Sequence, residues 1–471
     1  IMEFDEYIQL SQVREQVLVS PPLAKGPGLS LKGGKTLIID LGTAPLLENK
    51  TYTINLGTAV KDNNEGNPLV ENVFLFSTGD FIDSLDIKGE SLLSQYQEPC
   101  KDCIMLAFPE GTDSISLGRR PQYIARCDGS GDFQFSHMAS GEYELIALLD
   151  RNTNLKVDKG ESFGFLLSSV KAGQADSTLL MQVGPMLPEG HSLKRAEWAT
   201  DGRSVLLTSR GSYDSLIFSW PGAKIPVYTQ SSNRPDSVRY WFDGAMTAGD
   251  LSIITSSTGI ADTVKVGRVT ENLNAWGPMN PSLEYAADTL KAKLDRPVSF
   301  RDSTRILLLQ DSLGIPFKLL GSNPMQLEMT ADWQYGAAYT VIFMDSSLTD
   351  IYGNASDSIQ YSFRIPTKES LAELTLDIQL EAGSYLIYLL DKDKKVKAMT
   401  RALGSMKWKL PPMTPAEMRL WVVKDENGDG YWTSGSYDKM LLPEPVYLQS
   451  ESIKMRSNWE MELQVVPVFS R

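Results

Sequence analysis

The apolar residues of this chain come in short runs separated by turn formers. Val73-Phe74-Leu75-Phe76, Val205-Leu206-Leu207 and Tyr385-Leu386-Ile387-Tyr388-Leu389-Leu390 are punctuated by Gly, Asn, Asp or Pro, a pattern that suits strands buried inside a sandwich. Sustained helical periodicity is scarce. The short stretch Pro415-Ala416-Glu417-Met418 is the kind of helix candidate that the nearby Pro411-Pro412 weakens. The pattern predicts an all-β chain.

The pattern also repeats. Tyr52 and Tyr339, Gly66 and Gly353, Asn67 and Asn354, Phe74 and Tyr361, and Phe76 and Phe363 are all separated by 287 positions, so one shift superposes a strand, a turn and a closing strand. A second shift, of 275, lays Phe133-Gln134-Phe135, Glu142, Leu145 and Asp150-Arg151-Asn152 on Trp408-Lys409-Leu410, Glu417, Leu420 and Asp425-Glu426-Asn427. Two different domains in tandem are therefore used twice. The boundaries that follow are 1–80, 81–185, a divergent sandwich at 186–275, then 276–366 matching the first module and 367–471 matching the second. The turns Asp62 to Asn67 and Gly353-Asn354 suit hairpins because Gly and Asn tolerate positive φ. Without a low-complexity linker, a fairly rigid rod or arc is expected.

Composition narrows the function classes. With 471 residues the chain exceeds what one core serves, and modules of roughly 80–110 residues need no disulfide framework. A net charge of -14, with no Lys/Arg cluster, disfavours nucleic acid. No run of about 18 apolar residues marks a membrane span. Ile1-Met2-Glu3-Phe4 reads like the middle of a strand, so the true N-terminus is expected to lie upstream.

Phe4-Asp5-Glu6-Tyr7-Ile8 with Tyr52-Thr53-Ile54 and Asp62 through Pro68 resembles the bacterial Ig-like domain of cell-envelope proteins, and Leu294-Asp295-Arg296-Pro297-Val298 echoes its opening strand at a shift of 290. Gly141-Glu142-Tyr143-Glu144-Leu145 leading into Leu149-Asp150-Arg151-Asn152 resembles the carboxypeptidase-regulatory, or transthyretin-like, sandwich. The whole chain is similar to multidomain Ig-like outer-membrane lipoproteins of Bacteroidota. That resemblance implies a signal peptide and a lipid-bearing Cys upstream of Ile1, export to the outer membrane and exposure at the cell surface. It also implies a role such as accessory subunit of a large outer-membrane complex, the β-barrel assembly machinery among them. Asp followed by Ser or Thr and then an aliphatic residue or Thr occurs at Asp83, Asp113, Asp176, Asp214, Asp236, Asp262, Asp288, Asp302, Asp311 and Asp357, resembling the O-glycosylation acceptor pattern of that phylum. Taken singly, each is also an ordinary turn before a strand.

Candidate chemistry is sparse. Only His137 and His191 exist, neither in a recognisable catalytic or metal signature, and both read as loop or strand-end residues. Cys100-Lys101-Asp102-Cys103 is a CxxC with Cys127 one hairpin on. Pro99 and the following Ile104-Met105-Leu106 suggest a turn entering a strand, where a redox motif wants a helix N-terminus. A disulfide of Cys100 with Cys103, or of either with Cys127, competes with free buried thiols. Asp425, Asn427, Asp429 and Gly430 imitate the start of a calcium loop, but Ser436 holds its twelfth position. The partner copy Asp150, Asn152, Asn154, Asp158 and Glu161 supplies that carboxylate but has Leu155 where the turn wants Gly. Neither is a complete EF-hand, and a polar hairpin is the favoured reading of both. Trp408, Trp421, Trp432 and Trp459 could stack on sugars, although Trp408 replaces Phe133 as a core residue would. Paired carboxylates for glycoside hydrolysis are unreadable from spacing alone.

The resulting expectation is a non-catalytic, cofactor-free surface scaffold of about five β-sandwich modules. Its expected partners are an outer-membrane β-barrel protein or associated lipoproteins. The alternative is a glycan-binding or adhesive cell-surface protein.

Overall fold

The computed structural model describes residues 1–471 apart from 24–25, 70–72, 112–119, 159, 175–178, 186–191, 199–203, 211–215, 220–225, 232–236, 243–248, 256–260, 267–277, 283–288, 295, 322, 438 and 470–471. The chain is all-β, a tandem array of β-sandwich folds. It divides into two compact units, one of Ile1–Leu187, Trp432–Tyr447 and Phe469–Arg471, the other of Pro188–Tyr431 and Leu448–Val468.

In the first unit, strand Thr51–Asn55 lies between Leu18–Ser20 and Val73–Ser77, and Thr36–Asp40 between Met2–Glu3 and Gly28–Lys32. Val19, Leu37, Tyr52, Ile54, Leu56 and Val60 form the core between them. The next stretch, 85–185, forms a nine-stranded sheet in which Leu85–Leu93 and Leu179–Pro185 run parallel and the other pairings are antiparallel. Its strand Ile104–Pro109 is apolar without alternation because both faces are covered. Met105 and Ala107 enter a core with Phe133, Phe135, Leu145 and Met181, while Ile104, Leu106 and Phe108 enter another with Ile146, Leu148, Phe163 and Phe165. The segment Trp432–Tyr447 closes this second core, with Tyr437 edge-on to Phe163 at 5.9 Å and to Phe165 at 5.1 Å.

In the second unit, Ser204–Arg210 lies between Ser192–Trp198 and Ser237–Phe242, and Gly249–Thr255 between Leu216–Ser219 and Ala261–Val266. Strands from Leu290 to Arg364 surround Leu308, Leu327, Met329, Trp333, Tyr339, Val341 and Phe343. In the last stretch, Glu373–Ile378 runs parallel to Glu460–Val465 and antiparallel to Met406–Lys409, and Tyr385–Asp391 lies between Val396–Ala402 and Glu417–Lys424.

The duplication is visible at atomic level. Tyr52 faces Phe76 across the sheet with stacked rings 5.2 Å apart, and Tyr339 faces Phe363 at 5.7 Å. Each tyrosine hydroxyl accepts the backbone N–H five residues upstream, from Leu47 at 2.9 Å and from Gln334 at 2.7 Å. The turn glycines Gly66 and Gly353 both take positive φ, 75° and 83°. The parallel pair of 85–93 with 179–185 has a counterpart in 373–378 with 460–465, at offsets larger than 275. Trp408 faces Leu376 but is half-buried, whereas Phe133 and Leu410 are fully buried.

Candidate functional site

Within the first unit, residues from four parts of the sequence build a groove. Arg14, Leu18, Pro22, Leu23, Arg126 and Leu155 are among the walls of a cleft of about 300 Å³. A second hollow of about 410 Å³ shares Pro22, Leu23, Arg120 and Pro121 with it and adds Leu46, Lys50 and Tyr52. The walls are held by specific bonds: Ile124 N–H donates to the Ser20 hydroxyl at 3.0 Å, and Arg120 Nη1 donates to the Leu23 carbonyl at 3.3 Å. Among the described residues, three guanidiniums and one ammonium line these hollows and no carboxylate does. In a chain of net charge -14 this is a local reversal of sign. Burial lowers the pKa of the half-buried Arg126 below the usual guanidinium value, with Asp102 acting in the opposite direction. Arg126 nonetheless stays charged at neutral pH. Sequence reasoning missed this groove because its lining residues are scattered. The only signal in the sequence is the Pro21-Pro22 and Arg119-Arg120-Pro121 punctuation.

The residues singled out from sequence fall elsewhere. Cys100 and Cys103 are joined, and Cys127 is free and buried, its thiol pushed up to about 12 by burial. His137 sits at φ 58° where strand Asp132–Met138 is irregular, with Nδ1 3.0 Å from the Asp83 carbonyl. His191 lies outside the described residues. Trp421 is buried against Tyr388 at 4.8 Å, Trp459 is 52% exposed beneath Arg456, and Trp432 donates Nε1–H to the Glu444 carbonyl at 3.3 Å. Of the Asp-Ser and Asp-Thr sites, those at Asp83, Asp302, Asp311 and Asp357 present exposed Ser84, Ser303, Ser312 and Ser358. Asp113, Asp176, Asp214, Asp236 and Asp288 lie outside the described residues.

The acidic loops differ in how their carboxylates are occupied. In the first, Asp150 accepts N–H groups of Asn154 at 3.3 Å and Leu155 at 2.8 Å, one on each oxygen. Glu161, 8% exposed, accepts Arg151 N–H at 3.0 Å and Asp158 N–H at 3.1 Å, again one on each oxygen. Asp158 takes the side-chain amides of Asn152 and Asn154 at 2.5 and 2.7 Å. Leu155 adopts the left-handed φ of 58° that this turn imposes. In the second, Gly430 holds the matching position at φ 80°, and Asp425 is buried with one oxygen lacking any hydrogen-bond partner. Among the described residues, no three His, Cys, Asp or Glu side chains gather in a way that could hold a metal ion. No helix among them is long and apolar enough to cross a membrane.

The opening strands, the stacked Tyr52 and Phe76 and the Asp62 turn belong to one recognisable module. Residues 1–78 match the bacterial Ig-like domain. This Ig-like domain supplies one wall of the groove through Arg14, Leu18 and Pro22. A comparison with curated proteins found no match. Among solved structures the chain is similar to the Bacteroides ovatus mixed-linkage glucan utilization locus SGBP-B in complex with a mixed-linkage heptasaccharide, at 13% identity and TM-score 0.21, covering 73% of this chain and 91% of that one. It is also similar to BcpA, the major pilin subunit of Bacillus cereus, at 8% identity and TM-score 0.14, covering 82% and 99%. The I9–I11 tandem from titin matches at 8% identity and TM-score 0.13, covering 58% and 100%. Likenesses at these scores carry no functional argument.

Proposed function

We propose that this chain is a non-catalytic cell-surface scaffold that holds protein partners at the outer membrane. The observation that supports this reading is the groove walled by Pro22, Leu23 and Pro121 and set with Arg14, Arg120 and Arg126. Its occupant in this proposal is an extended, acidic segment of a partner protein. Arginine on an apolar wall is the side chain that interfaces favour, because its planar fork binds carboxylates while its stem packs. The charged side chains described on these walls are all basic, which favours an acidic segment. With the surrounding surface the contact would bury on the order of 1,000 Å² or more, as a stable interface requires. The partner class is an outer-membrane β-barrel protein or a lipoprotein associated with one.

Gentle extraction of native membranes, followed by identification of co-purifying proteins, tests this. A stoichiometric partner is expected with the wild type and is lost when Arg14→Glu and Lys50→Glu are combined, with melting temperature unchanged. Monomer alone across several detergents, with no reproducible neighbour on crosslinking in intact cells, would overturn the scaffold. A glycan-array signal abolished by the same double variant would move glycan binding to first place.

A further inference from the structure

We propose that the loop Asp425 to Tyr431 is a calcium site. The motivating atom is the second oxygen of Asp425. This carboxylate is 6% exposed, and its Oδ2 accepts the Gly430 N–H at 3.2 Å and the Ser384 hydroxyl at 3.5 Å. Oδ1 is fully buried and accepts nothing. A carboxylate oxygen removed from water without a donor is costly, and native structures leave few such atoms unexplained. A hard cation is a partner that such a bare carboxylate oxygen binds readily.

The neighbours are those a hard cation uses. Counting Asp425 as the first position, Asn427 and Asp429 stand at the third and fifth, Gly430 at the sixth with the left-handed turn that position needs, and the Tyr431 carbonyl at the seventh. The side chains are already drawn into the loop: Asn427 Oδ1 accepts Asp429 N–H at 2.8 Å, Asn427 Nδ2 donates to Asp429 Oδ2 at 2.9 Å, and Asp429 Oδ1 accepts Tyr431 N–H at 2.7 Å. All prospective donors are oxygens, which excludes the soft thiolate and imidazole metals by ligand type. Two carboxylates, one amide oxygen and one carbonyl suit Ca²⁺, with water completing its shell, better than the rigid octahedron of Mg²⁺. Arg401 packs against Gly430, and no ion pair supplies Asp425 Oδ1 from it.

The first loop is the internal control. Asp150 and Glu161 have both oxygens engaged by backbone N–H groups, so the first loop lacks the unmet carboxylate oxygen that sets Asp425 apart, although Asn427 and Asp429 are hydrogen-bonded in the second loop too. The two loops share an ancestry in the 275-residue repeat but not an unmet oxygen.

Equilibrium dialysis of the whole chain against radioactive calcium at neutral pH, with circular dichroism to confirm folding, decides the matter. One ion per chain is expected, with a dissociation constant of about 10⁻⁴–10⁻³ M, the range of extracellular modules. Asp425→Ala should weaken binding by at least about tenfold, since ligand charge sets affinity. Asp150→Ala should leave it unchanged. Should Asp425→Ala fail to fold, Asp429→Asn at an exposed position serves instead and should weaken binding similarly. The proposal is overturned if the wild type binds no calcium at about 10 mM, well above that range. It is equally overturned if neither loop variant changes binding, or if magnesium at equal concentration displaces the ion.

Discussion

Replacing Asp350 by Ala should be among the most destabilising single changes in the second unit. The side chain is fully buried, and its carboxylate accepts the N–H groups of Tyr352 and Asn354 at 2.8 Å each and the Asn354 amide at 2.9 Å. Arg296, itself 7% exposed, brings Nη1 to 3.6 Å. The gross attraction of that pair is about 5 kcal/mol at an effective dielectric of about 20, but desolvation consumes most of it. Removing one partner is different, because the buried guanidinium loses the Asp350 carboxylate and two turn amides lose their acceptor. A cost of about 3–5 kcal/mol is expected. In a unit of this size each kcal/mol moves the midpoint by about 2–4 °C, so calorimetry should show a shift on the order of 10 °C. Hydrogen exchange should accelerate at Tyr352 and Asn354 first. The equivalent turn in the Ig-like domain supplies the comparison: Asp62 accepts Asn64 and Glu65 N–H groups, but at the surface. Asp62→Ala should therefore shift the midpoint much less. A shift under about 2 °C for Asp350→Ala, equivalent to less than about 1 kcal/mol, would refute the reasoning. So would equal shifts for the two variants.

Other expectations follow from single contacts. A Cβ at Gly89 would lie 2.5 Å from the Leu179 carbonyl and 2.6 Å from Phe133 Cζ, so Gly89→Ala should cost about 1–3 kcal/mol in urea unfolding. Glu6 occupies the place of Arg296 under the 290 shift, and its hydrogen bond with Asp62 raises its pKa, while the Glu65 N–H holds Asp62 below its ordinary value. Glu6's contribution is lost as pH rises through its raised folded value, and Asp62's as pH falls through its lowered one. The pair therefore stabilises most between the ordinary carboxyl values, 3.8 and 4.5, and melting curves of Glu6→Arg should lose the decline above that window. Cys127, with its thiol near 12, should resist iodoacetamide at pH 8 and react once the chain is unfolded. Alkylation of the native protein at pH 8 would refute this.

The sequence made the strands and their duplication legible because those depend on local alternation and on conserved spacing between one residue and its cross-strand neighbour. Tyr52 and Phe76 repeat as Tyr339 and Phe363 since both pairs must stack in the same register. The groove was not legible, since Arg14, Arg120 and Arg126 meet only after the first two sandwiches pack. Nor was the difference between the acidic loops, whose residue types are nearly alike. Asp150 is satisfied by Asn154 and Leu155 N–H groups, and Asp425 is left one donor short by a backbone path that spacing does not encode. The placement of Trp432–Tyr447 in the first unit was equally invisible, because Tyr437 finds Phe163 and Phe165 across a long separation.

The parallel pairing of first and last strands gives stretches 85–185 and 373–465 a mechanical character. Strand Leu85–Leu93 enters its sandwich and Leu179–Pro185 leaves it, joined from Gly89 opposite Leu179 to Leu93 opposite Val183. Tension applied where the chain enters and where it exits pulls such neighbours in opposite directions along their own length. The slanted ladder bonds are then loaded together in shear, whereas an antiparallel pair pulled from one end peels bond by bond. The copy formed by Glu373–Ile378 and Glu460–Val465 is built to resist in the same way. Pulled from its ends, the chain would yield first elsewhere, with these two clamps the last to part.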